Sequence, residues 1–180
     1  VDDFLHPDRV VIGSDDDAAA RRVASLYVDC GAPIMVTDPA SAETCKYAAN
    51  AFLATKLSFT NAIAAVCEAV GADANDVLLG MGYDHRIGHE FLRPGPGWGG
   101  SCFPKDSRAI ISIAEDAGYD FALMRGVIQA NDEQFDRIVR KVESVTSLDG
   151  GTVGVLGIAF KAGTDDTRES PAIEVMKRLL

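Results

Sequence analysis

The spacing of apolar and polar residues changes twice along the chain, and the changes divide it into three. Near the start, Arg9-Val-Val-Ile12 is a short continuous apolar run that predicts a buried strand. Asp15 to Cys30 follows with apolar positions near Ala19, Val23, Leu26 and Val28 and predicts a helix. "PIMVTD" predicts a second strand. A strand, a helix and a strand form the last part of an α/β unit whose beginning is absent, so residues 1–37 read as the end of a domain that has been cut.

The period then becomes helical. Asp38-Pro39 supplies an N-cap and a first-turn proline, no Gly or Pro interrupts the run to Val70, and Gly71 supplies a C-cap. This predicts an alanine-rich helix of about thirty residues, against a typical length of about a dozen. "GADANDVLLGMG" predicts a short helix capped by Asp73. Residues 83–103 predict a long loop, and a helix runs from Pro104 to about Ala117. A further long helix, capped by Asp120, runs to Val145 with Phe121, Met124, Ile128, Phe135, Ile138 and Val142 as its apolar face. After "SLDGG" the period changes again: "TVGVLGIAF" predicts a buried strand, and "SPAIEVMKRLL" a helix with a Ser cap and Pro at its first position. The predicted fold is a mostly α central domain with a long helix, residues 38–147, flanked by partial α/β pieces over 1–37 and 148–180.

Composition narrows the partners. With 47% hydrophobic and 24% charged residues the 180-residue chain is ordinary for a globular protein. A net charge of -10 argues against nucleic acid or an anionic membrane as the main partner, though a few basic residues can still hold a phosphate. No apolar run is read as membrane-spanning, and Val1, Asp2 and Asp3 lack the basic start of a signal peptide, so the expected location is cytoplasmic. Cys30, Cys45, Cys67 and Cys102 are widely spaced with no Cys-x-x-Cys pair, which predicts free thiols and no metal site. The first three read as small buried apolar groups.

Cys102 stands apart. "GPGWGGSCFPKD" brings four glycines, two prolines and the only tryptophan up to a cysteine at a predicted helix start. A thiol there meets the positive end of the helix dipole and unpaired backbone N–H groups, surroundings that favour a thiolate nucleophile, and Lys105 adds positive charge. The glycines at 95, 97, 99 and 100 let the backbone approach a ligand closely. An incidental cysteine in a Gly-rich turn fits the same letters. Lys46 and Asn50, four apart, share one face of the long helix. Lys46 reads either as a partly buried amine that binds or activates oxygen, or as a lysine that snorkels to solvent. Lys56 and Asn61 read as surface or packing polars. Arg86 in "YDHRIG" is a phosphate clamp or a plain surface arginine. Lys161 and Arg168 follow a predicted strand, where α/β sheets bind ligands. His6, His85 and His89 are scattered and take no role.

Taken in order, "SAETCKYAANAFLATKLSFTNAIAAVCE", "DHRIG", "GPGWGGSCFPKD" and "GIAFKAGTDDTRESPA" resemble the nucleotide-sugar 6-dehydrogenases, the UDP-glucose/GDP-mannose dehydrogenase family. The resemblance covers essentially the whole chain. It implies NAD-dependent four-electron oxidation of a nucleotide sugar, UDP-glucose to UDP-glucuronate, through a cysteine thiohemiacetal and thioester. By motif, Cys102 is the nucleophile, Lys46 and Asn50 hold the sugar oxygen, and Asp106 orients the hydrolytic water. Arg86 reaches the nucleotide sugar of a neighbouring subunit. Phe91, Leu92, Arg93, Gly95, Gly97 and Gly99 wrap the substrate, with Phe160 and Lys161 on its other side. Cys102, Lys105 and Arg168 face the NAD.

The resemblance also implies that residues 1–37 are the remnant of a Rossmann domain whose G-x-G-x-x-G is not in this sequence, and that 148–180 begin the UDP-sugar-binding domain. On that account these residues by themselves are a truncated, inactive piece. Two other readings accompany this one: a helical dimerisation module built on the long helix, and a family member acting on GDP-mannose or a UDP-N-acetylhexosamine. A thiol hydrolase, a third possibility, has no suitably placed histidine.

Overall fold

The computed structural model describes residues 2–180, so Val1 of the acidic opening lies outside the described residues. Two compact units divide at Ala49, Val1–Ala49 and Asn50–Leu180.

In the first unit a short helix α1 (Asp2–Leu5) precedes strand β1 (Val10–Gly13), helix α2 (Asp17–Ser25) and strand β2 (Ile34–Thr37). The strands pair in parallel, Val10 against Ile34 through Gly13 against Thr37. This is the strand–helix–strand order read from the sequence, with a shorter helix. Asp16 is the cap: its carboxylate accepts from the N–H groups of Ala18 and Ala19 at 2.7 and 3.1 Å. The helix stops at Ser25, and a separate 3-10 turn covers Val28–Cys30 before Gly31, at φ 73°. The predicted apolar face is not the buried one. Ala20 is buried on α2, whereas Val23, Leu26 and Val28 are exposed. Cys30 and Cys45 are half-buried, and Cys67 alone of the expected three is fully buried; all four cysteines are free thiols.

Helix α3 (Pro39–Val70) runs 32 residues. It begins where Asp38 accepts the N–H of Ser41 at 2.9 Å. It ends where Gly71 turns left-handed, φ 77°, and the N–H of Ala72 bonds back to the carbonyl of Cys67. By length and composition alone α3 could cross a membrane, with a mean hydropathy of 1.2 over an 18-residue window, against the reading from the sequence. The polar residues inside that stretch show what it packs on: Ser58, Thr60 and Asn61 are buried and bonded to other parts of the second unit. That is the pattern of a core helix.

The rest of the second unit comprises α4 (Ala74–Gly82), α5 (Phe103–Asp116), α6 (Ala122–Val145) and α7 (Pro171–Leu179). Asp73 caps α4 through the N–H groups of Asn75 and Asp76. Asp120 does not cap α6, whose cap position is Phe121, because its carboxylate is paired with Arg125. Ser170 stands at the N-cap of α7 without a side-chain bond to the helix. Met124, Val127 and Phe135 bury one stripe of α6, with Phe121, Ile128, Ile138 and Val142 half-buried beside it. The core joins Ala51 and Ala54 of α3 to Trp98, Met124 and Val127.

The predicted strand over "TVGVLGIAF" is absent. Residues 152–159 carry no regular structure, and Val153, Val155, Leu156 and Ile158 are exposed. A strand is held by its ladder to a neighbour, and among the described residues no strand pairs with this one.

Candidate active site at the start of α5

The turn before α5 delivers the cysteine as the sequence predicts. Cys102 occupies the N-cap, its carbonyl accepts the N–H of Asp106 at 2.8 Å, and Pro104 fits the first turn, where no N–H is needed. The thiol is exposed, with the Ser101 hydroxyl 3.6 Å from its sulfur. Asp106 is four residues on and therefore on the same side of the helix. It is fully buried, yet both carboxylate oxygens are used. One accepts from Asn50 Nδ2 at 2.6 Å and the other from Lys105 Nζ at 2.5 Å. An exposed thiol thus stands above an ionic hydrogen-bonded group that draws on α3 and α5.

The loop leading to Cys102 is held by side-chain amides. Asn61 accepts the N–H of Gly95 at 2.8 Å, and Gln134 donates to the Gly95 carbonyl at 2.7 Å. Asn131 takes the N–H of Trp98 at 2.8 Å and donates to its carbonyl at 3.0 Å. Trp98 Nε1 donates to Ser58, which in turn donates to the Val127 carbonyl. The sequence reading missed Asn131, Gln134 and Ser58. Asn131 left a trace: it is a polar residue at helical spacing from Met124, Val127 and Phe135 on a buried stripe.

The last glycines of the loop also meet the protein's own chain. Gly99 lies against the Glu169 carbonyl, and Gly100, at φ 81°, lies under the Phe160 ring, where an added Cβ would come within 2.6 Å. These bare backbones let the loop pack against the protein's own chain.

Cationic side chains gather beside the residues that flank Cys102 in sequence. Lys105, Arg108 and Arg168 line an open cavity of about 610 Å³ with Gly100, Ser101 and Glu169. Arg168 grips Asp166 with two nitrogens and holds that carboxyl down to about 2. Its own proton is held more tightly than usual, chiefly by its hydrogen bond to Asp166. Arg108 pairs with Glu169 at 2.8 Å. Among the described residues no three His, Cys, Asp or Glu side chains form a metal site.

Cys102, Asn50, Asp106, Lys105, Arg168, Gly99 and Phe160 are thus linked through this loop and helix start. Lys46 is on α3 one turn before Asn50, exposed rather than half-buried, with Nζ 5.0 Å from the Tyr47 ring centre. Arg86 is bound by Asp84 through Nε and Nη2, which holds Asp84 below its usual range. Phe91, Leu92 and Arg93 line a different cavity of about 670 Å³ beside Leu57 and Leu78. Phe91 is held there at φ 61°, with its carbonyl accepting from Thr60. Lys161 is exposed, its carbonyl bonded by Thr164.

The sequence and fold have counterparts among known proteins. A profile of the UDP-glucose/GDP-mannose dehydrogenase family, central domain, matches residues 40–133, and one of the same family's UDP binding domain matches 154–180. UDP-glucose 6-dehydrogenase TuaD of Bacillus subtilis is 48% identical over 99% of this chain and 39% of its own length. UDP-glucose 6-dehydrogenase AglM of Haloferax volcanii is 44% identical over all of this chain and 43% of its own. A UDP-glucose dehydrogenase structure from Pyrobaculum islandicum superposes with a TM-score of 0.91 at 41% identity, across 99% of this chain and 41% of that one. The chain therefore spans about two fifths of the length of the relatives it matches. The profile runs through α3, the Gly-rich loop and α5, the elements that assemble Cys102, Asn50 and Asp106, and on this match the chain belongs to the UDP-glucose/GDP-mannose dehydrogenase family.

Proposed function

We propose that these residues are the central, cysteine-bearing part of an NAD-dependent nucleotide-sugar dehydrogenase that converts UDP-glucose to UDP-glucuronate. The observation that carries this reading is the exposed Cys102 thiol at the start of α5, one turn from the buried Asp106 that Asn50 and Lys105 both contact. The match of 154–180 to a UDP binding domain, and the names of the relatives, favour a UDP-sugar over GDP-mannose.

In this reading Cys102 adds to the C6 aldehyde of the sugar: an S–C bond forms as the carbonyl oxygen takes up charge, giving a thiohemiacetal. Oxidation of that adduct leaves a thioester, and water attacks it to release the carboxylate and free the thiol. Asp106 orients the water, and Asn50, with Lys46 one turn before it on α3, steadies the sugar oxygen. NAD, when bound, supplies the hydride acceptor for each two-electron oxidation. The exposed cationic heads of Lys105 and Arg168 suit its phosphates. Phe160, packed on Gly100, and the Gly95–Gly99 segment border the sugar with Lys161, Phe91, Leu92 and Arg93. Residues 1–37 complete an NAD-binding domain, 38–147 form the central domain, and 148–180 open the sugar-nucleotide domain.

The test is a count of NADH formed per UDP-glucose consumed by the full-length protein carrying these residues. Two NADH per sugar, lost in Cys102→Ser, is the expected result; one per sugar, or activity indifferent to that change, defeats the thioester route. The 180 residues alone are expected to form none.

A second reading accompanies the first. Phe52, Phe59 and Val66 repeat every seven residues on α3, and each is at least half exposed. An apolar stripe of that period suits a second copy, and a dimer would also bring Arg86 toward a neighbour's substrate. Light scattering is expected to give twice the monomer mass, falling to one when Phe52 and Phe59 are replaced by Lys; a parent that already runs as a monomer excludes this interface.

A further inference from the structure

Glu169 is one of two non-glycine residues with positive φ among the described residues, at 45°. A side chain there strains the backbone, and glycine would occupy the same angles freely. The glutamate therefore has to return something that glycine cannot.

Three contacts show what it does. Its carbonyl lies against Gly99 and accepts the N–H of Gly100 at 3.4 Å, two residues before Cys102. Its carboxylate accepts from Arg108 Nη2 at 2.8 Å, and Arg108 belongs to the helix that Cys102 starts. On either side of it, Arg168 lines one open cavity with Ser101 and Lys105, which flank Cys102 in sequence, and Ser170 begins α7. Upstream in the same segment Phe160 covers Gly100, and the Phe160 N–H bonds to the Asp166 carbonyl. Both partners of the ion pair are largely exposed, 64% for Arg108 and 51% for Glu169. Such a pair stabilises a fold little, so its return for the strain is position.

We propose that Glu169 is a positioning residue: its left-handed backbone and its bond to Arg108 latch the segment bearing Phe160 and Arg168 onto the loop that ends in Cys102. The match to a UDP binding domain begins at residue 154, so the latch joins the end that carries that domain to the thiol-bearing helix. This inference rests on the dehydrogenase reading for its effect on turnover, but not for its effect on the thiol itself.

The experiment compares Glu169→Ala, Arg108→Ala, the double variant and Glu169→Gln in the full-length protein. Labelling of Cys102 by iodoacetamide without substrate is expected to slow about threefold in each alanine variant, as the segment bearing Arg168 leaves the loop that ends in the thiol. The double variant is expected to be no slower than either single one, because both remove the same contact. Glu169→Gln keeps the shape and can still accept from Arg108, so it is expected to recover most of the rate. With saturating NAD, kcat should fall about tenfold in Glu169→Ala while KM for UDP-glucose stays within about twofold. Unchanged labelling in Glu169→Ala, or single effects that multiply in the double variant, overturns the latch. A parent protein that forms no NADH defeats the dehydrogenase reading instead, and the labelling series then still decides the latch.

Discussion

Asp106→Asn is expected to lower kcat of the full-length protein about a hundredfold, the loss typical of a misplaced acid–base or water-orienting group. A carboxylate with no exposed surface loses its hydration, and charged hydrogen bonds must replace it. Asn50 and Lys105 supply them at 2.6 and 2.5 Å. The amide substituent keeps the shape and one carbonyl oxygen, so the fold should survive while the charge disappears. Asp106→Ala removes both acceptor oxygens. The bond from the half-buried Asn50 is worth about 2 kcal/mol, and the bond from the largely exposed Lys105 about 0.5 kcal/mol after screening. An unfolding free energy lower by about 2 kcal/mol is therefore expected, read by urea titration of Trp98 fluorescence. If both variants lose stability and Asp106→Asn retains full kcat, the carboxylate is a structural strut and the hydrolytic role falls.

Trp98→Ala carries the largest expected loss of stability, about 3–5 kcal/mol. The side chain is 6% exposed, belongs to the core with Ala51, Ala54, Met124 and Val127, and meets Phe103 edge to face. Its removal opens a cavity at the point where the loop to Cys102 is anchored. Trp98→Phe is expected to cost less, about 1–2 kcal/mol. The ring volume is partly kept, and Ser58 keeps its bond to the Val127 carbonyl, so the lost interaction is the Nε1 bond. Urea unfolding followed by far-UV circular dichroism measures both. A loss under about 1 kcal/mol in Trp98→Ala would mean that the loop is held by its backbone bonds to Asn61, Asn131 and Gln134 instead.

These two residues differ in how legible they were. Asp106 was visible in the sequence as part of "CFPKD", but its burial and its bond to Asn50 were not. The partners lie 56 residues apart, and pairing at that distance is set by how α3 and α5 pack. The Gly-rich loop was legible as a loop, whereas the object its glycines approach was not. A residue without Cβ announces a close approach without naming the other side, and here the other side is Glu169 and Phe160, more than fifty residues away.

Local chemistry settled most of the helices from the sequence alone. The run from Pro39 to Val70 without Gly or Pro, Gly71 after it, Asp73 before α4 and the Cys–Phe–Pro start of α5 act through neighbouring backbone groups, and each appears where it was read. The failures share a cause. Asp120 was read as a cap, but Arg125 competes for its carboxylate. The face of α2 was read from apolar spacing, but burial there falls on Ala20. The strand over 152–160 was read from composition, but a strand exists only with a partner to complete its hydrogen bonds. Sequence determined what short stretches of chain prefer. Tertiary structure decided which carboxylate is buried, which amides hold the loop and which segment latches onto Cys102, because those depend on desolvation and contact between residues that only folding brings together.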